Sequence, residues 1–140
     1  MSETTTTHTV AVFSAMRGSG WQGQVPTNDL EELFRYFNRV DETDGPRLEA
    51  IGYNLPSMMA SDLVGLVDDS GLYTTWYLCA GSDWDEILDA QAQTYMTRAQ
   101  RDVAAGKRGP MFAEMDGPNL KYIGNDGMVN ISPSGAVWSV

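Results

Sequence analysis

Two apolar runs, 63–67 and 72–80, flank the polar stretch Asp68-Asp69-Ser70-Gly71. That is the pattern of a β-hairpin whose glycine takes positive φ at the end of the turn. In the second run Leu72, Thr74, Trp76, Leu78 and Ala80 fall on one face, and Tyr73, Thr75, Tyr77 and Cys79 on the other. Both faces are largely apolar or aromatic, so this strand is expected to be central and covered on both sides. After Gly81 the period lengthens. Trp84, Leu88, Ala92, Tyr95, Met96, Ala99 and Val103 recur at helical spacing and predict a helix over 82–105, about 22 residues or roughly 33 Å long. Ser82-Asp83-Trp84-Asp85 reads as a weak capping box. Asp83, Asp85, Glu86 and Asp89 then match the positive end of the dipole, and Arg98, Arg101, Lys107 and Arg108 the negative end. Gly106 is placed to stop the helix.

Upstream, 9–15 reads as a first strand and 16–24 as a Gly-rich loop. Thr27 or Asn28 can cap a helix over 28–40 whose core face is Leu30, Leu33, Phe34, Phe37 and Val40. An acidic loop over 41–46 precedes a strand expected at 47–53, weakened by Gly52. The connection 54–60 is unusually apolar. Downstream, 111–115, 120–124, 128–132 and 136–140 are four strand-like runs separated by Gly, Pro, Asn and Asp turn residues, the pattern of a meander. The expected fold is therefore α+β. A largely antiparallel sheet carries two amphipathic helices on one side, with a C-terminal β-meander. A polar, Thr-rich arm over 1–8 precedes a single domain over 9–140.

Charge narrows the function. The net charge is −10, from 19 acids against 9 bases, which argues against direct nucleic-acid binding through a basic face. No Lys or Arg occurs between Arg47 and Arg98, and eight acids do. A solvated acidic rim, an acidic patch for a basic partner and a nucleic-acid mimic compete to explain that gap. Seven Arg against two Lys is also consistent with a G+C-rich or salt-adapted source. No apolar run approaches the roughly 20 residues of a membrane-spanning helix. The start of the chain lacks the basic and apolar regions of a signal peptide, so a cytoplasmic or virion-associated location is expected, with no membrane partner.

Candidate chemistry is sparse. A lone histidine, His8, and a lone cysteine, Cys79, give no imidazole-centred triad, no disulfide and no metal cluster. No catalytic residue, cofactor or metal site is expected. The best ligand hint is Arg17-Gly18-Ser19-Gly20, because strand, Gly-rich loop and helix in that order can cradle phosphate. Trp21 in the same loop, and the pair Met58 and Met59, read as protein-contact anchors. Asp68, Asp69, Asp85 and Glu86 are the acidic candidates. Together these point to a non-enzymatic interaction or assembly protein, working with a protein partner or as a homo-oligomer. A phage virion accessory or head–tail component is the concrete expectation, by analogy. The alternatives are an acidic inhibitor that blocks a basic partner, and a small phosphate-ligand enzyme using the 17–24 loop.

Overall fold

The computed structural model describes residues 7–81 and 83–139. Nine strands form two antiparallel sheets, and three helices complete the α+β fold among the described residues. The first sheet has the order β2-β1-β3-β4-β5, with β1 His8–Ser14, β2 Ser19–Val25, β3 Leu63–Val67, β4 Thr74–Cys79 and β5 Trp84–Ile87. The second is a meander of β6 Met111–Asp116, β7 Asn119–Gly124, β8 Gly127–Ile131 and β9 Val137–Ser139. Helices α1 Leu30–Phe37 and α2 Asp44–Ala50 join β2 to β3, and α3 Asp89–Ala104 joins the two sheets.

Alternation along β1 and β3 decides the layering. Val10, Val12 and Val64 point to one face of the first sheet, where they meet Leu33 and Phe37 of α1, Leu48 of α2, and Tyr53, Leu55 and Met58. Ala11, Phe13, Leu63, Trp76, Leu78 and Ile87 point to the other, against Ala92, Tyr95 and Ala99 of α3 and Leu120, Tyr122, Val129 and Ile131 of the meander. Because both faces are apolar, each needs its own cover. The amphipathic helices therefore lie on opposite faces of the sheet, not together on one.

The 63–79 hairpin forms as expected, with Gly71 at φ +76° in its turn. Leu72 and Tyr73 nevertheless belong to the exposed turn, and the middle strand is β3 rather than β4. Trp76 lies across β3 at Gly65, where an added Cβ would come within 2.9 Å of the indole.

The segment expected to open the long helix differs. Trp84, Asp85, Glu86 and Ile87 form β5, paired with Cys79, Leu78, Tyr77 and Trp76. Trp84 joins the α1 side of the core, and the helix begins only at Asp89. Helical and strand spacing coincide over so short a run, and cross-strand pairing with β4 wins. The cap is supplied from inside the helix. Gln91 Oε1 accepts from Leu88 N at 3.1 Å, while Gln91 Nε2 donates to the Pro118 and Ile131 carbonyls, pinning α3 to the meander. Gly106, at φ +79°, follows the helix end as expected.

Three further expectations change. Residues 19–25 form β2 instead of continuing a loop, and 44–50 form α2 where a strand was expected. In α1 the cap is Asp29, whose carboxylate accepts from Glu32 N at 3.0 Å, and Val40 lies beyond the helix, exposed. The arm expected over 1–8 falls outside the described residues as far as residue 6, and His8 already begins β1.

Candidate functional site

At one end of the first sheet three segments converge. The β1–β2 turn brings Ala15 and Met16, the connection before β3 brings Met59 to Asp62, and the segment between α3 and β6 brings Arg108 to Phe112. They enclose a cleft of about 490 Å³, within the usual range of ligand-sized pockets. Its mouth is apolar. Met16 is 52% exposed, Met59 45%, Met111 36% and Phe112 69%.

The floor is the pair Ser61 and Asp62, which ties the three walls together. Asp62 is 2% exposed. Its Oδ1 accepts from Ala15 N at 2.9 Å and its Oδ2 from Met59 N at 3.0 Å. Burial pushes its carboxyl up to about 6, against the lowering effect of those two N–H donors. Ser61 holds the opposite wall. Its Oγ accepts from Ala113 N at 3.0 Å, and its carbonyl accepts from the Tyr95 hydroxyl at 2.6 Å. Both residues also pair with Cys79, which donates to the Asp62 carbonyl and accepts from Ser61 N, each at 2.9 Å. One dipeptide thus fixes the β1–β2 turn, the 53–62 connection, the end of β4, α3 and β6.

The backbone there is strained. Among the described residues only Arg39, Ser61 and Phe112 are non-glycine residues with positive φ, and two of the three line this cleft. Ser61 lies at φ +85° and Phe112 at φ +53°, conformations that L-residues avoid and that surrounding contacts must enforce. Phe112 falls in the register break between Met111 and Glu114 of β6, a bulge that turns its ring outward. Gly109 closes the back of the cleft, since a Cβ there would lie 2.0 Å from the Ala15 carbonyl oxygen.

The arrangement suits docking better than bond chemistry. Both carboxylate oxygens of Asp62 already hold backbone donors, and Ser61 Oγ already accepts from Ala113. His8 stands at the far end of β1 from Ala15, at the pair with Val25. A seven-residue strand puts it about 20 Å away.

The residues singled out from sequence scatter. Of them only Met59 reaches this cleft, because its neighbour Met58 is buried on the opposite face of the sheet. Trp21 lies on β2 and is half-buried against Phe37 and Tyr53 at ring distances of 6.0 and 5.3 Å, so it serves the core instead of an exposed contact.

Arg17 is exposed at the tip of the β1–β2 turn. Beside it Gly18, at φ +60°, packs against Ala99 and Val103 of α3. The strand that follows removes the loop-to-helix layout on which phosphate cradling depended.

Asp68 and Asp69 are exposed at the β3–β4 turn, where a hydrogen bond from the Ser70 hydroxyl lowers the Asp68 carboxyl. Asp85 and Glu86 lie on edge strand β5, where no helix dipole acts on them. The β4–β5 turn is at the opposite end of the sheet from Asp68, yet β5 runs back, so Asp89 reaches Trp76 Nε1 at 3.2 Å.

Ser61, Asp62, Met16, Met111 and Phe112 were missed. One local signal existed for the floor, a carboxylate set directly before the wholly apolar run 63–67. No protein-family model, curated protein or solved structure matches this chain.

Proposed function

We propose that this protein is a non-enzymatic interaction or assembly component, and that the Met-rimmed cleft receives an apolar side chain from a protein partner. The observation that carries this reading is the convergence of four exposed apolar side chains, from three separate segments, on one cleft with a fixed floor. Exposed apolar groups gathered in this way mark contact sites, whereas single ones are ordinary surface. Methionine adds adaptability at the rim, and Phe112 supplies a rigid aromatic contact of the kind that dominates binding energy. The partner is a second copy or another member of an assembly, and a phage particle is the setting that this small acidic chain suits by analogy.

A photo-crosslinking residue placed at 112 tests the proposal, with the same residue at Tyr73 as control, since Tyr73 is 72% exposed at the far hairpin. In extracts of the native source the probe at 112 is expected to trap one discrete species, identifiable by mass, and the probe at 73 to trap none. Equal trapping from both sites, or a monomer untouched at 112, would overturn the reading.

A further inference from the structure

On the other side of the 107–112 segment lies a second, polar depression of about 240 Å³. Arg98 and Arg101 of α3 and Lys107 line it, opposite Tyr122 and the β7–β8 turn at Asn125 and Asp126. These are three of the nine cations of a chain with net charge −10. Cations near a helix C-terminus are expected from the dipole alone. The enclosure is not. Arg108 N donates to Asn125 Oδ1 at 3.2 Å, Asn125 Nδ2 donates to the Arg108 carbonyl at 2.8 Å, and the Arg108 guanidinium donates to the Gly124 carbonyl at 3.3 Å. The wall facing α3 is therefore clipped in place. Arg98 is oriented too, because its Nε donates to the Tyr122 hydroxyl at 2.9 Å, leaving its other guanidinium donors for a ligand.

Asp102 and Asp126 share the lining, yet among the described residues the carboxylates within 4.0 Å of a cation are Glu114 and Asp116, both on Lys121. The three cations of the depression thus have oriented or nearby donors without a carboxylate in contact among those residues. We propose that this depression binds a phosphate group, held by Arg98, Arg101 and Lys107, as free phosphate or as the phosphate of a small phosphomonoester. Guanidinium groups match phosphate oxygens in paired hydrogen bonds, and Lys adds a point charge.

Titration of the full chain with inorganic phosphate, and separately with glycerol phosphate, tests this by backbone and arginine side-chain NMR. At low ionic strength at least one ligand is expected to saturate with a dissociation constant of about 1 mM or tighter. Shifts should centre on Gly124, Asn125 and Arg98 Nε. Tighter binding of inorganic phosphate would identify the free ion as the ligand, and tighter binding of the ester a phosphorylated small molecule. Arg101→Gln combined with Lys107→Gln changes two exposed side chains and is expected to weaken binding by about tenfold or more, at unchanged circular dichroism. Arg35→Gln, on α1, should leave binding intact. Lack of saturation by either ligand, undiminished binding by the double variant, or shifts spread equally over Arg35 and Arg47 would each overturn the proposal.

Discussion

Trp76→Ala is expected to destabilise the chain by about 3–5 kcal/mol, the range for removing a large buried aromatic that its surroundings cannot replace. Trp76 is 8% exposed and belongs to the core between the first sheet and α3. It fills the space that Gly65 leaves on β3, opposes Ile87 across β5, and donates from Nε1 to Asp89 Oδ1 at the first turn of α3. Its loss opens a cavity bordered by three strands and a helix and leaves Asp89 without that donor. Chemical denaturation of the variant measures the effect. A loss under about 1 kcal/mol would show that the indole is not a core element.

The second large effect is a pH dependence centred on Asp62. An unperturbed aspartate carboxyl titrates near 3.8, and burial holds this one at about 6. Between those values the folded chain keeps a proton that the unfolded chain has released. Stability therefore falls as pH rises from about 4 to about 6 and levels off above, by up to about 3 kcal/mol from this group. The exposed carboxyls of Asp41 and Asp68 are lowered by hydrogen bonds within their turns, from Thr43 and Ser70 respectively. They push the other way at lower pH, so a difference curve is needed. Denaturation of the parent chain and of Asp62→Asn across pH 4–8 isolates the residue. Asn keeps one acceptor for Ala15 or Met59 and faces the other N–H with a donor, a penalty that does not vary with pH. The stability of the parent relative to the variant is expected to decline from pH 4 to pH 6. A flat or rising difference would mean that Asp62 titrates normally.

Turn chemistry and strand alternation made much of this fold legible. The meander is the clearest case, since Gly117, Gly127 and Gly135 all adopt the positive φ that their turn sequences imply. Apolar alternation likewise placed both faces of the sheet under cover. What spacing could not settle was competition between elements. Residues 84–87 carry apolar positions compatible with a helix, and only the neighbouring edge of β4 makes them a strand. Residues 44–50 include Gly45 and Pro46, which read as loop, yet proline is well tolerated in the first turn of a helix.

The site was harder to read than the fold. Met59 was singled out, but Met16, Met111 and Phe112 come from distant stretches that only tertiary packing assembles. Backbone strain at Ser61 and Phe112 leaves no trace in residue type, because nothing about Ser or Phe announces a positive φ.

That strain also supplies the most direct test of the docking cleft. Phe112 keeps a costly conformation and an exposed ring together, a combination that folding alone does not favour. Phe112→Gly removes both. The account predicts that its thermal stability holds, or rises by up to about 1 kcal/mol as the left-handed backbone is relieved. Affinity for the partner trapped from position 112 should meanwhile fall by about tenfold or more, or 1.4 kcal/mol. Unchanged affinity in a folded Phe112→Gly chain would contradict the cleft as the docking site.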